Sequence, residues 1–91
     1  PDSTIFEHIG DTRHKLGETQ KAKAAWEQAL DLLSKQKKKT KEPDAYLFEQ
    51  IGNIYNKLGQ ANKAKDAWKR SYEITPIESL RRKLHPTKKG Q

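Results

Sequence analysis

The sequence repeats itself at a fixed spacing of 42 residues. Sliding the chain against itself by that distance aligns Phe6 with Phe48 and Trp26 with Trp68. The same register aligns three further segments: Pro1-Asp2 with Pro43-Asp44, Ile9-Gly10 with Ile51-Gly52, and Lys15-Leu16-Gly17 with Lys57-Leu58-Gly59. Identity at one offset indicates a duplicated structural unit, so both copies are expected to fold in the same way.

The second copy has the hydrophobic spacing of two helices. Its first apolar series fits one face of a helix and consists of Tyr46, Phe48, Ile51, Ile54, Tyr55 and Leu58. After Gly59 a second series follows, made of Ala61, Ala64, Ala67, Trp68, Tyr72 and Ile74. Two amphipathic helices joined by a short turn pack antiparallel, so we predict a helical hairpin.

Small residues predict close contact between these two helices. Gly52 falls on the buried side of the first helix, and Ala64 and Ala67 fall on that of the second. A glycine in the middle of a helix costs about 1 kcal/mol relative to alanine, which indicates that something packs closely against it. Trp68 supplies the bulk, and we interpret it as a core residue and not as a ligand platform.

The first copy predicts a similar hairpin with fewer apolar residues. Its first helix runs over residues 3–16 with Asp2 as N-cap, and it turns Ile5, Phe6 and Ile9 toward the second helix. The second helix starts near Thr19 and has an apolar side made of Ala22, Ala25, Trp26, Ala29, Leu30 and Leu33. It is expected to continue into the lysine run and to end before Glu42, because Pro43 cannot lie inside a helix.

The residues that follow the second copy fit one further helix. Its start is indicated by a capping box made of Thr75, Pro76 and Glu78. Its apolar side consists of Ile77, Leu80 and Leu84. The dipeptide His85-Pro86 is expected to end it, leaving a frayed tail over residues 87–91.

These residues resemble the tetratricopeptide repeat family, whose hairpins carry W-x-x-L-G-x-x-Y, then A-x-x-x-F, then P over about 34 residues. The second copy follows that pattern with Phe48, Ile51-Gly52, Tyr55, Ala64, Trp68 and Pro76. The first copy departs from it at Arg13, where the family has an aromatic residue, and at Ser34, where the family has Pro. The resemblance implies an all-α fold of five helices, in which antiparallel hairpins stack as a short right-handed solenoid.

On this interpretation the whole chain, residues 1–91, is one domain with four parts. These are repeat one (2–33), a basic spacer (34–43), repeat two (44–76), and a capping helix with its tail (77–91). The spacing of 42 residues exceeds the family period of about 34, and the excess falls in the spacer.

Composition and charge narrow the classes of function. The net charge is +7, and the lysines and arginines are concentrated in the spacer and in the C-terminal segment. The absence of cysteine excludes disulfides and cysteine-ligated metals. No apolar run approaches the roughly 18 residues of a membrane span. The compartment is not predicted by any of these features.

No set of residues predicts catalysis. The sequence offers neither a nucleophile with a base nor a glycine-rich phosphate loop. His8, Asp11 and His14 are three residues apart, but they drift around a helix and have no fourth ligand. We therefore expect no metal, no cofactor and no enzyme activity.

The family resemblance implies a concave groove lined by the first helix of each hairpin. Residues facing it would be Thr4, Glu7, Asp11, His14 and Lys15 from the first copy, and Tyr46, Glu49, Asn53, Asn56 and Lys57 from the second. Relatives that clamp the C-terminal carboxylate of chaperones need Lys and Asn where this chain has Glu7 and Asp11, so that ligand would be repelled. We predict a protein-interaction module whose groove suits a polar or basic peptide.

Electrostatic binding to nucleic acid or to an anionic surface is the alternative function. The candidate basic patch consists of Lys35, Lys37, Lys38, Lys39, Lys41, Arg81, Arg82 and Lys83. No aromatic residue alternates with these lysines, which disfavours base stacking, and solvated charge is the plainer interpretation.

The number of repeats bears on assembly. Stacks of this kind usually need at least about three repeats to cover their apolar faces, and this chain has two. The outer flank of the first helix is therefore expected to stay open. We expect a monomeric part of a longer array, with weak self-association as the alternative.

Overall fold

A computed structural model describes residues 2–84, with the backbone alone for residues 78 and 79. Within that range the regular elements are five helices: α1 (Ser3–Lys15), α2 (Thr19–Lys39), α3 (Ala45–Lys57), α4 (Ala61–Ile74) and α5 (Glu78–Leu84). The pairs α1/α2 and α3/α4 form two hairpins, α2 packs on α3, and α5 packs on α4. The all-α stack of hairpins is confirmed. The predicted helix end at His85-Pro86 and the tail lie outside the described residues.

Aspartates start the first helix of each hairpin, as the sequence predicted for Asp2. The Asp2 carboxylate accepts a hydrogen bond from the Thr4 N–H at 2.9 Å. Asp44 does the same for Tyr46 at 3.0 Å and Leu47 at 3.3 Å. Each carboxylate satisfies N–H groups that have no partner inside the helix and also favours the positive end of the helix dipole.

Glycines in the left-handed backbone region turn the chain between the two helices of each hairpin. Gly17 has φ +80° and Gly59 has φ +81°, values in a backbone region that residues with a Cβ rarely adopt. The N–H groups of Glu18 and Gln60 donate to the carbonyls of Arg13 and Tyr55, both at 2.9 Å. These are the hydrogen bonds of a Schellman motif, so both hairpins turn in the same way.

A tryptophan packed on a glycine joins the two helices of each hairpin. A Cβ built at Gly10 would collide with the indole of Trp26, and one built at Gly52 would collide with Trp68. Both indoles are buried. The predicted reason for a mid-helix glycine at Gly52, and the assignment of Trp68 to the core, are confirmed.

The core runs through both hairpins and continues under α5. One cluster joins Trp26, Ala29 and Leu33 of α2 to the α3 residues Leu47, Ile51 and Ile54. A second cluster joins Ala64 and Trp68 of α4 to Leu80, with Leu84 packed against it. The last helix therefore covers the second hairpin, as its apolar side predicted.

The structure corrects the predicted start of the last helix. α5 begins at Glu78, Thr75 follows the end of α4 as its C-cap, and Pro76 lies between the helices. The capping box at Thr75 and Pro76 is therefore wrong. The Ile77 carbonyl accepts from Leu80 and Arg81, both at 3.2 Å, and so starts the helix two residues later than Pro76. The predicted end of α2 is confirmed, since the helix reaches into the lysine run and ends at Lys39, before Glu42.

The predicted orientation of α1 is correct for Phe6 and wrong for two isoleucines. Phe6 is half-buried and packs against the core, whereas Ile5 is 56% exposed and Ile9 is 40% exposed. They line a surface cleft of about 460 Å³ together with His8, Thr12, Arg13 and Leu16. We call Ile5, Ile9 and Leu16 the open flank of α1. Among residues 2–84 no other helix covers this side of α1.

Two exclusions apply to residues 2–84. No helix there is both long and apolar enough to cross a membrane. No three histidine or carboxylate side chains there come close enough together to hold a metal ion.

Candidate partner groove

The indole N–H groups of the two core tryptophans make equivalent hydrogen bonds. Trp26 Nε1 donates to Asp11 Oδ1 at 3.1 Å, and Trp68 Nε1 donates to Asn53 Oδ1 at 3.0 Å. Each acceptor directly follows the glycine on which the indole packs. A buried indole N–H needs an acceptor, so the packing of each hairpin also fixes one polar side chain on α1 and one on α3.

Lys57 connects the two hairpins on this side of the molecule. Its Nζ donates to Glu7 Oε2 at 2.7 Å and to Asp11 Oδ1 and Oδ2 at 2.9 and 3.0 Å. The three side chains are 24–38% exposed, so water screens these ion pairs only in part. The last residue of α3 is thereby fastened to two carboxylates of α1.

The pKa values of Asp11 and Lys57 are shifted toward their charged forms. Burial alone would raise the pKa of Asp11, but hydrogen bonds from Lys57 and Trp26 and the charge of Lys57 outweigh it and hold that pKa below its ordinary 3.8. Burial alone would lower the pKa of Lys57, but Glu7 and Asp11 outweigh it and raise that pKa above its ordinary 10.5. Asp11 and Lys57 are therefore both charged at neutral pH.

Lys83 of α5 makes a similar connection to α3. Its Nζ lies 3.3 Å from Glu49 Oε2, 3.0 Å from Asn53 Oδ1 and 5.2 Å from the centre of the Trp68 ring. Lys57 thus links α3 to α1, and Lys83 links α5 to α3. We call Lys57 and Lys83 the lysine ladder. The ladder runs along the same side of the stack as Glu7, Asp11, Glu49 and Asn53.

The ladder corrects the predicted role of Lys83. The sequence grouped it with the basic patch, but it is bonded to the groove residues Glu49 and Asn53. Sequence reasoning missed this because Lys57 is the thirteenth residue of α3 whereas Lys83 is the sixth residue of α5. The two lysines therefore have no common position in the repeat, and no fixed spacing predicts Lys83.

Several groove residues remain open to solvent. Tyr46 and Asn56 are exposed on α3, on the face that also carries Glu49 and Asn53. Tyr46 and Glu49 line one end of a cleft of about 610 Å³ that reaches Ile77 and Leu80. His14 is exposed on α1, with its ring 5.7 Å from that of Trp26. All ten predicted groove residues thus belong to the bonded set or to the helix faces that carry it.

The basic patch is less uniform than the sequence indicated. Lys35 pairs with Asp31 on its own helix at 3.1 Å, and Lys37 lies over the ring of Phe48. Lys38, Lys39 and Lys41 are exposed, as are Arg81 and Arg82 of α5. Seven of the eight cations of the predicted patch are thus exposed, whereas Lys83 is half-buried.

Arg13, the departure from the family pattern, lies at the turn of the first hairpin. Its guanidinium donates to Glu18 Oε1 at 2.8 Å, and that bond lowers the pKa of Glu18. Its counterpart in the second hairpin, Tyr55, packs against both core clusters. A charged residue is tolerated at Arg13 because it faces the open flank.

Comparison with known proteins agrees with this geometry. A family model described as tetratricopeptide repeat matches residues 4–39 and 45–78. Neither the curated proteins nor the solved structures give a match to this chain. The two matched segments correspond to the two hairpins and together cover well over half of the sequence. The chain therefore belongs to the tetratricopeptide repeat family.

Proposed function

We propose that the groove beside the lysine ladder binds an extended, polar segment of a partner protein that carries a basic side chain. Tetratricopeptide repeats are generally protein-interaction modules and are typically not catalytic. The observation that carries the proposal is that packing fixes polar groups on successive first helices through the hydrogen bonds of Trp26 and Trp68. Groups held in place before binding lose little conformational freedom when a partner docks.

Charge favours a basic side chain at the first hairpin. Glu7 and Asp11 share one cation, Lys57, so this cluster carries one net negative charge. At the second hairpin Glu49 is offset by Lys83. A cation from a partner is therefore attracted more strongly to the Glu7/Asp11 end than to the Glu49 end.

Asn53 adds a hydrogen-bond donor at the second hairpin. Its Oδ1 accepts from both Trp68 and Lys83, which orients the amide. Within residues 2–84 its Nδ2 donates to no other group, so it is available to a carbonyl oxygen of a partner backbone. Asp11, its counterpart, has no such donor. The groove thus offers hydrogen-bond acceptors at the first hairpin and a hydrogen-bond donor at the second.

Electrostatic binding of nucleic acid or an anionic surface remains the second candidate. It is supported by the net charge of +7 and by the exposed Lys38, Lys39 and Lys41. It is weakened because Lys83 and Lys35 are held in ion pairs. We therefore favour the groove.

The test uses two double variants with the same change of charge. His14→Arg with Asn56→Arg alters exposed groove positions that are equivalent in the two copies. Gln20→Arg with Asn62→Arg alters exposed equivalent positions on the second helices. Peptides would be selected from a displayed random library on the wild-type chain, and their dissociation constants would be measured by fluorescence anisotropy.

We expect the groove variant to bind the selected peptides at least about tenfold more weakly, a loss of about 1.4 kcal/mol, and the control to bind like wild type. Equal affinity of all three proteins would overturn the groove proposal. Nucleic-acid binding predicts a different result, since both variants add two positive charges: both would bind an oligonucleotide more tightly, with a steep decrease in affinity as salt is added.

A further inference from the structure

We infer that a second binding surface, separate from the groove, lies between α2 and α4 and takes an acidic segment of a partner protein. It is a cleft of about 370 Å³ over the side of α3 that carries Phe48 and Tyr55. Three cations line it: Lys37 from the extended end of α2, and Lys63 and Arg70 from α4. We call these five residues the basic cleft. Neither the groove proposal nor the family match requires it.

Aromatic rings hold the three cations in position. Lys37 Nζ lies 5.6 Å from the centre of the Phe48 ring, and Arg70 Cζ lies 5.1 Å from the same centre. Lys63 Nζ lies 5.7 Å from the centre of the Tyr55 ring. In each contact the negative face of the ring attracts the cation. Two like charges on one ring repel each other, so an anion bound beside them lowers the energy of the cleft.

The cations of the basic cleft have no carboxylate partner among the described residues. Ion pairs there involve Arg13, Lys35, Lys57 and Lys83 and none of the three cleft cations. Asp66 also lines the cleft but lies beyond ion-pair distance from them. The cleft therefore carries a net charge of about +2 that is not neutralised locally.

The equivalent place on the first hairpin shows that helix packing does not require these cations. Phe6, the counterpart of Phe48, lines a cleft of about 590 Å³ together with Glu27, Gln28 and Asp31. Gln28 stands where the second copy has Arg70. No preceding helix supplies a counterpart of Lys37 in the described chain. The surface over Phe6 is thus acidic, whereas the one over Phe48 is basic.

The part of α2 that extends beyond the length of α4 contributes Lys37 to the basic cleft. α2 has 21 residues and α4 has 14, and Lys37 lies in the part that exceeds its counterpart. That part buries no side chain after Leu33. Its placement of Lys37 over Phe48 completes the basic cleft.

An acidic peptide fits this surface better than a nucleic acid does. Single-stranded nucleic acids gain much of their affinity by stacking bases on open aromatic faces. Phe48 and Tyr55 are only partly exposed and have cations over them. Glutamate or aspartate side chains need only the cations, and a cleft between two helices suits a peptide strand.

The test measures binding of a fluorescein-labelled peptide of alternating Glu and Ser by anisotropy. The cleft variant is Lys37→Gln with Arg70→Gln, which removes two cations and gives the second hairpin the residue found at Gln28. The control is Lys38→Gln with Lys69→Gln, which removes two neighbouring exposed cations outside the cleft. All four residues are exposed, so both variants are expected to stay folded, and thermal melts check this.

The cleft variant is expected to bind the peptide about tenfold more weakly and the control to lose less than about twofold. The groove variant His14→Arg with Asn56→Arg is expected to keep its affinity for the peptide, so failure of the groove and failure of the cleft are distinguishable. Equal losses in cleft variant and control would overturn the proposal in favour of diffuse attraction. Tighter binding of an unstructured oligonucleotide, lost in the cleft variant, would also overturn it and assign the surface to nucleic acid.

Discussion

The two hairpins have the same internal construction but different surroundings. Both have an aspartate N-cap, a left-handed glycine in the turn and an indole packed on a glycine. Yet Leu47 is 2% exposed and Ile51 is 6% exposed, whereas their counterparts Ile5 and Ile9 are 56% and 40% exposed. A residue's position within the repeat therefore determines its role in the hairpin, namely cap, turn or helix contact. Whether an apolar residue is buried depends instead on whether another helix packs against it.

The polar residues of the two hairpins differ for the same reason. Asp11 and Asn53 accept the same indole bond, but Asp11 faces a lysine shared with Glu7, whereas Asn53 faces a lysine shared with Glu49. The first hairpin is therefore more acidic on its groove side and over Phe6, and the second carries the cations of the basic cleft. Duplication keeps the packing and leaves the surface chemistry free to diverge.

The largest effect is expected from truncating the tryptophan of either hairpin. Trp26→Ala and Trp68→Ala each remove a buried aromatic and leave a polar acceptor without its donor, so each should lower the free energy of unfolding by about 3–5 kcal/mol. That is a large part of the total for a small domain. Urea and thermal melts followed by circular dichroism would measure it.

Trp68→Phe is the control, since it keeps most of the bulk and loses the hydrogen bond to Asn53. It should fall between wild type and Trp68→Ala. A Trp68→Ala chain that melted within a few degrees of wild type would contradict the assignment of this residue to the core between the helices.

A smaller, asymmetric effect is expected at the paired isoleucines. Ile51→Ala should cost about 2–5 kcal/mol because the side chain lies in the core between α2 and α3. Ile9→Ala should cost less than about 1 kcal/mol because its side chain is already partly in water. The same melts measure both, and equal costs would mean that the open flank is covered in solution.

Sedimentation of the chain over a wide concentration range tests whether a second copy covers the open flank of α1. We propose that the chain is monomeric or associates weakly through the open flank of α1, so Ile9→Glu should abolish any association. A tight dimer unaffected by Ile9→Glu would contradict this proposal.

The sequence predicted the parts of the fold that depend on local chemistry. Caps at Asp2, turn glycines and the contact of Trp68 with Gly52 follow from rules about single residues and repeat spacing. The start of α5 was missed because Thr75 and Pro76 have good capping chemistry, but Thr75 is used to end α4 instead. A local signal cannot say which of two adjacent helices uses a residue.

The candidate site was predictable in position and less so in its bonding. Glu7, Asp11, Glu49 and Asn53 follow from the helical repeat, which puts them on one side of α1 and α3. Their pairing with Lys57 and Lys83 depends on how neighbouring helices pack, and the same holds for Lys37 over Phe48. The spacing of residues along one helix does not predict which lysine of another helix will reach them.

The smallest effect tests the charge difference between Asp11 and Asn53. Asp11→Asn keeps an oxygen for the Trp26 indole and removes the charge that faces Lys57, so the first hairpin becomes like the second. Because these side chains are partly exposed, the loss of stability at neutral pH should be no more than about 1 kcal/mol. Asp31→Asn removes an exposed ion pair with Lys35 and is the control, with an expected change of a few tenths of a kcal/mol, about 0.2–0.5.

The pH dependence of that loss identifies its cause. The pKa of Asp11 is lower in the folded chain than its ordinary 3.8, so its charge stabilises the fold above that pH, and the contribution is lost as pH falls through the folded value. The pKa of Lys57 is higher in the folded chain than its ordinary 10.5, so its contribution is full below 10.5 and is lost as pH rises through the folded value. Melts of wild type and Asp11→Asn should therefore differ most between these limits and converge outside them. A difference that stays constant across the whole range would instead show that the variant acts by disturbing the packing of Trp26 on Gly10, and the two hairpins would then differ at this position in shape and not in charge.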